Sequence, residues 1–127
     1  MTSTDQLQAQ CNRIANDIRN PPTYEQSDLV YLAEENKIEP TKTVSAMDYL
    51  YNAFDIELTY GYGNNFFAGG SVAVALGGPN IYITTNASSQ ITVMGYWGSD
   101  KYEVSATDNL GIDDYLEELH NSQQESK

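Results

Sequence analysis

GGPNIYITTNASSQITVMGYWG, residues Gly77 to Gly98, reads as a β-hairpin. Gly77, Gly78, Pro79 and Asn80 are a turn signal, after which Ile81 and Ile83 alternate with Tyr82 and Thr84. A polar turn from Asn86 to Gln90 leads into Ile91 and Val93 and then to Tyr96 and Trp97, the only tryptophan in the chain. Alternation with period two marks strands that bury one face. From Leu58 to Ser99 no residue is charged, although the chain carries 18 acids against 6 bases. The charge is pushed onto the segments that flank this neutral sheet.

Upstream, Ser71 to Leu76 predicts a strand with Val72, Val74 and Leu76 on one face and Ala73 and Ala75 on the other. Before it, Ile56, Leu58, Tyr60 and Tyr62 alternate with polar residues until Gly61, Gly63, Asn64 and Asn65 break the pattern. Downstream, Tyr102 and Val104 predict a last strand with Lys101 and Glu103 pointing outward.

The flanks read as helices. Leu7, Cys11, Ile14 and Ile18 form one apolar stripe, with Thr4 as the expected N-cap and Asn20, Pro21 and Pro22 as the stop. A shorter helix follows, capped by Ser27, with Leu29, Val30, Leu32 and Ala33 apolar, and Ile38 to Thr43 reads as a linker. Acids at its C-terminal end oppose the helix dipole and shorten it. A third helix begins near Thr43 or Ser45 and is expected to bury Met47, Leu50 and Phe54. The last runs from Ile112 to His120 on an apolar face of Ile112, Tyr115, Leu116 and Leu119.

Helices, then consecutive strands with short connections, then one helix predict an α+β fold. Its four- to five-stranded antiparallel sheet carries the helices on one face. Residues 1–121 are expected to form a single domain and 122–127 a disordered tail. The single Cys11 lies in the apolar stripe and reads as a small buried hydrophobe. It has no partner for an internal disulfide, and the polar N-terminus carries no signal-peptide pattern. These point to the cytoplasm, and no apolar run is long enough for a membrane span.

No catalytic machinery is legible, so the expectation is that the protein is not an enzyme. The one imidazole, His120, reads as a surface residue near the chain end, and one Cys with one His cannot close a zinc site. Gly77 and Gly78 open a strand and not a helix, which argues against a phosphate cradle. No metal and no cofactor are expected. A net charge of -12 repels nucleic acid and anionic membrane and favours a basic partner.

The acids gather late in the chain, at Asp100, Glu103, Asp108, Asp113, Asp114, Glu117 and Glu118. A solvated surface is the plain alternative, and the spacing fits no calcium loop. The other reading is that carboxylates stand where phosphates would stand, against a basic groove; duplex DNA carries one charge per about 1.7 Å of axis. Tyr60, Tyr62, Phe66, Phe67, Tyr82, Tyr96 and Trp97 are dense in one region, and Tyr and Trp often anchor interfaces. The expected partner-binding residues are the seven acids above together with Tyr96 and Trp97.

The segments GGPNIYITT, GYWGSD and DNLGIDDYLEEL resemble a family of small acidic proteins encoded by phages and plasmids. The likeness covers roughly Met47 to Leu119. Where that family carries a second Trp this chain has Gly98, so an aromatic contact is not carried over at that point. The resemblance implies an accessory protein of a mobile element, an anti-CRISPR or antirestriction inhibitor working in the bacterial host cytoplasm. Such a protein would occupy the basic surface of a nucleic-acid-binding host complex by partial DNA mimicry, without touching nucleic acid or membrane. Two alternatives stay open: an immunity protein or antitoxin for a basic nuclease, and a non-catalytic phage protein that self-associates through its aromatic sheet. Monomer and homodimer are both compatible with the sequence.

Overall fold

The computed structural model describes the backbone of residues 3–60, 67–86 and 90–125. Tyr62, Phe66 and most of the turn from Asn86 to Gln90 lie outside those residues. The elements are α1 (Ser3–Arg19), α2 (Val30–Asn36), α3 (Ala46–Tyr49), β1 (Asp55–Tyr60), β2 (Phe67–Ala75), β3 (Asn80–Thr85), β4 (Gln90–Trp97), β5 (Asp100–Thr107) and α4 (Ile112–Glu125). The strands form one antiparallel five-stranded sheet in the order β1-β2-β3-β4-β5, the expected α+β meander.

Register carries the alternation of each strand into continuous rows across the sheet. Ile56, Val72, Ile83, Val93 and Val104 face one another along a single inner row. Helix α1 lays Leu7, Cys11, Ile14 and Ile18 on β4 and β5, all of them buried, and α4 lays Leu116 on β2. Each fully buried aliphatic side chain of this kind contributes about 1.5–3 kcal/mol from burial. Two glycines let the helices come close. A Cβ on Gly95 would stand 2.6 Å from Cys11 Sγ, and one on Gly70 would stand 3.3 Å from Leu116 Cδ1.

The expected strand from Ser71 to Leu76 is interrupted. A register shift between Ala73 and Ala75 breaks the alternation, so Ala75 pairs with Ile81 and Leu76 emerges into solvent. Residue Gly98 sits at φ +63 in the turn between β4 and β5. A tryptophan at that position would have to adopt a left-handed backbone that L-residues disfavour.

The helical flanks differ from their sequence patterns in several places. Helix α1 already includes Thr4, whose hydroxyl therefore caps nothing and donates instead to Asp100 Oδ2 at 2.8 Å. Ser27 accepts from Leu29 N–H and donates to the Tyr24 carbonyl, bracing the approach to α2. Helix α2 ends at Lys37, in the left-handed conformation at φ 57, before the acid at Glu39. Val30 is exposed.

Helix α3 is a single turn, closed by Ser45, whose hydroxyl accepts from Asp48 N–H. The three-and-four spacing of Met47, Leu50 and Phe54 thus never becomes a stripe. Leu50 is buried, while Met47 is 58% and Phe54 63% exposed. Asp48 turns inward instead, 7% exposed, and accepts the Tyr24 hydroxyl at 2.6 Å. Tyr24, Ala33 and Val44 make a small second core under the segment read as a linker, which a Thr23 to Thr43 bridge ties down.

Helix α4 continues through position 125, so positions 122–125 are helical. Ile112, Leu116 and His120 then fall one turn apart on the inward side. His120 is 2% exposed, not a surface residue, and its ring lies 6.0 Å from that of Phe67.

Candidate partner-binding surface

Acids that adjoin in sequence part company in space. Asp108 is the N-terminal cap of α4: its Oδ1 accepts from Gly111 and Ile112 N–H at 2.9 and 3.1 Å, and its Oδ2 from Asp113 N–H at 2.9 Å. A carboxylate there satisfies amides that the helix leaves open and meets the positive end of its dipole, together worth about 1 kcal/mol. Asp113 accepts the Thr85 hydroxyl at 2.6 Å and so ties α4 to β3. Asp100 holds Thr4 at the start of α1. These three carboxylates serve the fold.

Asp114, Glu117 and Glu118 are exposed on the outward side of α4 and form no ion pair among the described residues. Their spacing places them on one side of the helix, away from Ile112 and Leu116. Glu103 lies on the opposite face of the sheet, where Lys101 pairs with it at 3.2 Å. Tyr96 and Trp97, adjacent on β4, point to opposite faces. Trp97 packs against the core, whereas Tyr96 stands on the outer face beside Tyr82, ring centroids 6.3 Å apart and edge to face. Lys101 Nζ is 5.9 Å from the Tyr96 centroid.

The expected site thus resolves into an acidic side of α4 and an aromatic outer sheet face, with the sheet between them. That outer face includes residues the sequence did not single out. One row runs Asp55, Ala73, Tyr82, Met94 and Glu103, and the next runs Glu57, Ser71, Thr84, Thr92 and Ser105. Strand parity is the signal that could have found them, but it groups residues only once the register is known.

A cleft of about 570 Å³ opens between α1, the segment before α2 and β2, lined in part by Arg13, Asp17, Ser27, Tyr49 and Val74. None of the expected site residues lines it. Tyr49 donates its hydroxyl to Asp17 Oδ2 at 2.9 Å. Burial first, then the charge of Asp17 and the hydrogen bond to it, push the phenol well above its ordinary pKa, with Arg13 opposing. The folded chain therefore holds this proton to higher pH than the unfolded chain does. Stability from this source is full below about pH 10 and is lost as pH rises beyond it. Urea midpoints at about pH 9 and about pH 11 should fall further for the wild type than for Tyr49→Phe; equal falls would place the phenol in water.

Burial likewise raises the Cys11 thiol, as suits a side chain that packs and does not react. Among the described residues no group of three or more His, Cys, Asp or Glu is gathered so as to hold a metal ion, and no helix is long and apolar enough to cross a membrane. No protein-family model, curated protein or solved structure matches the chain.

Proposed function

We propose that this protein is an acidic inhibitor that occupies a basic, nucleic-acid-binding surface of a host defence complex, as an anti-CRISPR or antirestriction protein does. The observation that carries the reading is the outward side of α4, where Asp114, Glu117 and Glu118 are exposed and form no ion pair among the described residues, on a chain of net charge -12. Asp114 and Glu118 are separated by about 6 Å of helix rise, a spacing at which a groove built for phosphates can engage successive charges. Like charges so placed cost the isolated helix a few tenths of a kcal/mol. Asp114, in the first turn, recovers some of that through the helix dipole, whereas Glu117 and Glu118 gain little there, which fits a binding role. The resemblance of the hairpin and α4 segments to acidic proteins of mobile elements supports the same context.

The test is capture from nuclease-treated host lysate with the wild type and with a variant carrying Asp114→Asn, Glu117→Gln and Glu118→Gln. The wild type should retain a basic nucleic-acid-binding protein that salt or added duplex DNA releases. The variant should bind it roughly three- to a hundredfold more weakly, at about 0.2–1 kcal/mol for each of the three exposed pairs lost. Its melting temperature should stay close to that of the wild type, because relief of repulsion offsets the loss of the Asp114 charge from the first turn of α4. Undiminished capture by the variant would remove α4 from the interface.

A further inference from the structure

Helices α1 and α4 cover the inner face of the sheet, and no element among the described residues covers the outer one. A sheet with one solvated face is ordinary when that face is polar. Here a polar row crosses the face beside a smaller apolar one. Tyr82, Met94 and Tyr96 form a half-buried apolar centre, with Asp55 and Glu57 exposed along β1 and Glu103 along β5. Beside that centre the hydroxyls of Ser71, Thr84, Thr92 and Ser105 run in a row from β2 to β5.

We infer that this outer face docks an extended segment of a basic protein in which apolar or aromatic side chains lie between two cationic ones. The inference rests on the reading of the partner as basic and adds where, and through which side chains, a second contact forms. Asp55 and Glu103 end one row that crosses the five strands. They are separated by four inter-strand steps, about 19 Å, a distance an extended peptide covers in about six residues. A cation at one end meets Asp55 and one at the other shares Glu103 with Lys101, the apolar residues between them meet Tyr82 and Met94, and the hydroxyl row offers partners to the peptide backbone. Tyrosines with a rigid ring and a polar tip suit such anchoring.

Charge decides between occupants. Phosphates would be repelled by Asp55, Glu57 and Glu103, which excludes nucleic acid from this face. A second copy of the chain would bring the same three carboxylates against themselves, with only Lys101 on each face to offset them, and that ammonium is already paired.

The probe is the blocked peptide Lys-Ser-Leu-Ser-Trp-Ser-Lys, whose Lys, Leu and Trp side chains share one side when extended. It is titrated into ¹⁵N-labelled protein and read by amide shifts. Two companion probes are the same peptide with Ser for Leu and Trp, and tetralysine. The expected result is that the first peptide shifts the amides of Tyr82, Met94 and Tyr96 more than those of α4. The Ser version should bind at least tenfold more weakly. Tyr96→Ser should weaken the first peptide at least fivefold, and so should Thr92→Arg, which sets a cation at mid-face; an unchanged Ile83 and Val93 spectrum shows that each variant is folded. Shifts confined to α4, equal binding by the Ser version, or no binding would each overturn the inference. Tetralysine shows what charge alone achieves, and shifts at Tyr82, Met94 and Tyr96 equal to those of the first peptide would also overturn the inference; capture through α4 is measured separately with the α4 variant, so the inhibitor reading and this docking face fail by different results.

Discussion

Replacing Gly69 with alanine is expected to destabilise the protein by at least about 2 kcal/mol, combining backbone strain of ~1–3 kcal/mol with overpacking of ~1–3 kcal/mol. The backbone there has φ +108, and an added Cβ would stand 2.2 Å from the Thr85 carbonyl oxygen and 2.7 Å from Asn86 Cα. Both neighbours are backbone at the end of β3, so relief requires β2 and β3 to separate. Gly77 supplies the control: its φ is +103, but a Cβ there meets nothing within 4 Å. Gly77→Ala should cost only the conformational part. Urea denaturation of the two variants separates the terms, and equal midpoints would mean that close approach at Gly69 contributes nothing.

Leu116→Ala is expected to cost about 2–5 kcal/mol, the range for a leucine truncated in a packed core. Leu116 is fully buried, stands over Gly70, and is flanked one turn away by Ile112 and His120. It is the central attachment of α4 to the sheet, so the loss should fall unevenly. Amide exchange should rise more in α4 than in Ile83 and Val93 at the centre of the sheet. Uniform acceleration would show instead that α4 and the sheet unfold as one unit. Since α4 also carries Asp114, Glu117 and Glu118, a loosened helix should weaken partner capture as well.

Much of this architecture was legible in the sequence because it rests on local periodicity. Ile81, Ile83, Ile91 and Val93 alternate in sequence and all end up buried, and the stripe of Leu7, Cys11, Ile14 and Ile18 lies on the sheet as its spacing predicts. Periodicity misled where an element stopped early. Met47 and Phe54 have helical spacing to Leu50, but α3 ends after one turn, and chain direction then decides which side chains turn inward. The burial of Asp48 depends on a hydroxyl from Tyr24, well upstream, and no local pattern announces that pairing. His120 falls one turn after Leu116 on the inward side and packs beside Phe67 of β2, a contact that no local pattern announces.

The binding surface was less legible for a related reason. Acids close in sequence suggest one patch, yet Asp108 and Asp113 are drawn into the start of α4 and Asp100 into α1, while parity sends Glu103 to the far face of the sheet. Only Asp114, Glu117 and Glu118 remain together and exposed. Asp55, Tyr82 and Met94, dispersed along the chain, are joined by register alone.

The central claim is that these carboxylates take the place of nucleic acid on a basic surface, and competition tests it most directly. The captured partner is bound to fluorescent duplex, and anisotropy is followed as unlabelled protein is added at low and at physiological salt. The account predicts full displacement by the wild type, weaker at higher salt, and displacement by the Asp114→Asn, Glu117→Gln, Glu118→Gln variant only at roughly threefold or greater concentration. A stable complex in which partner, duplex and this protein are all bound together would contradict it.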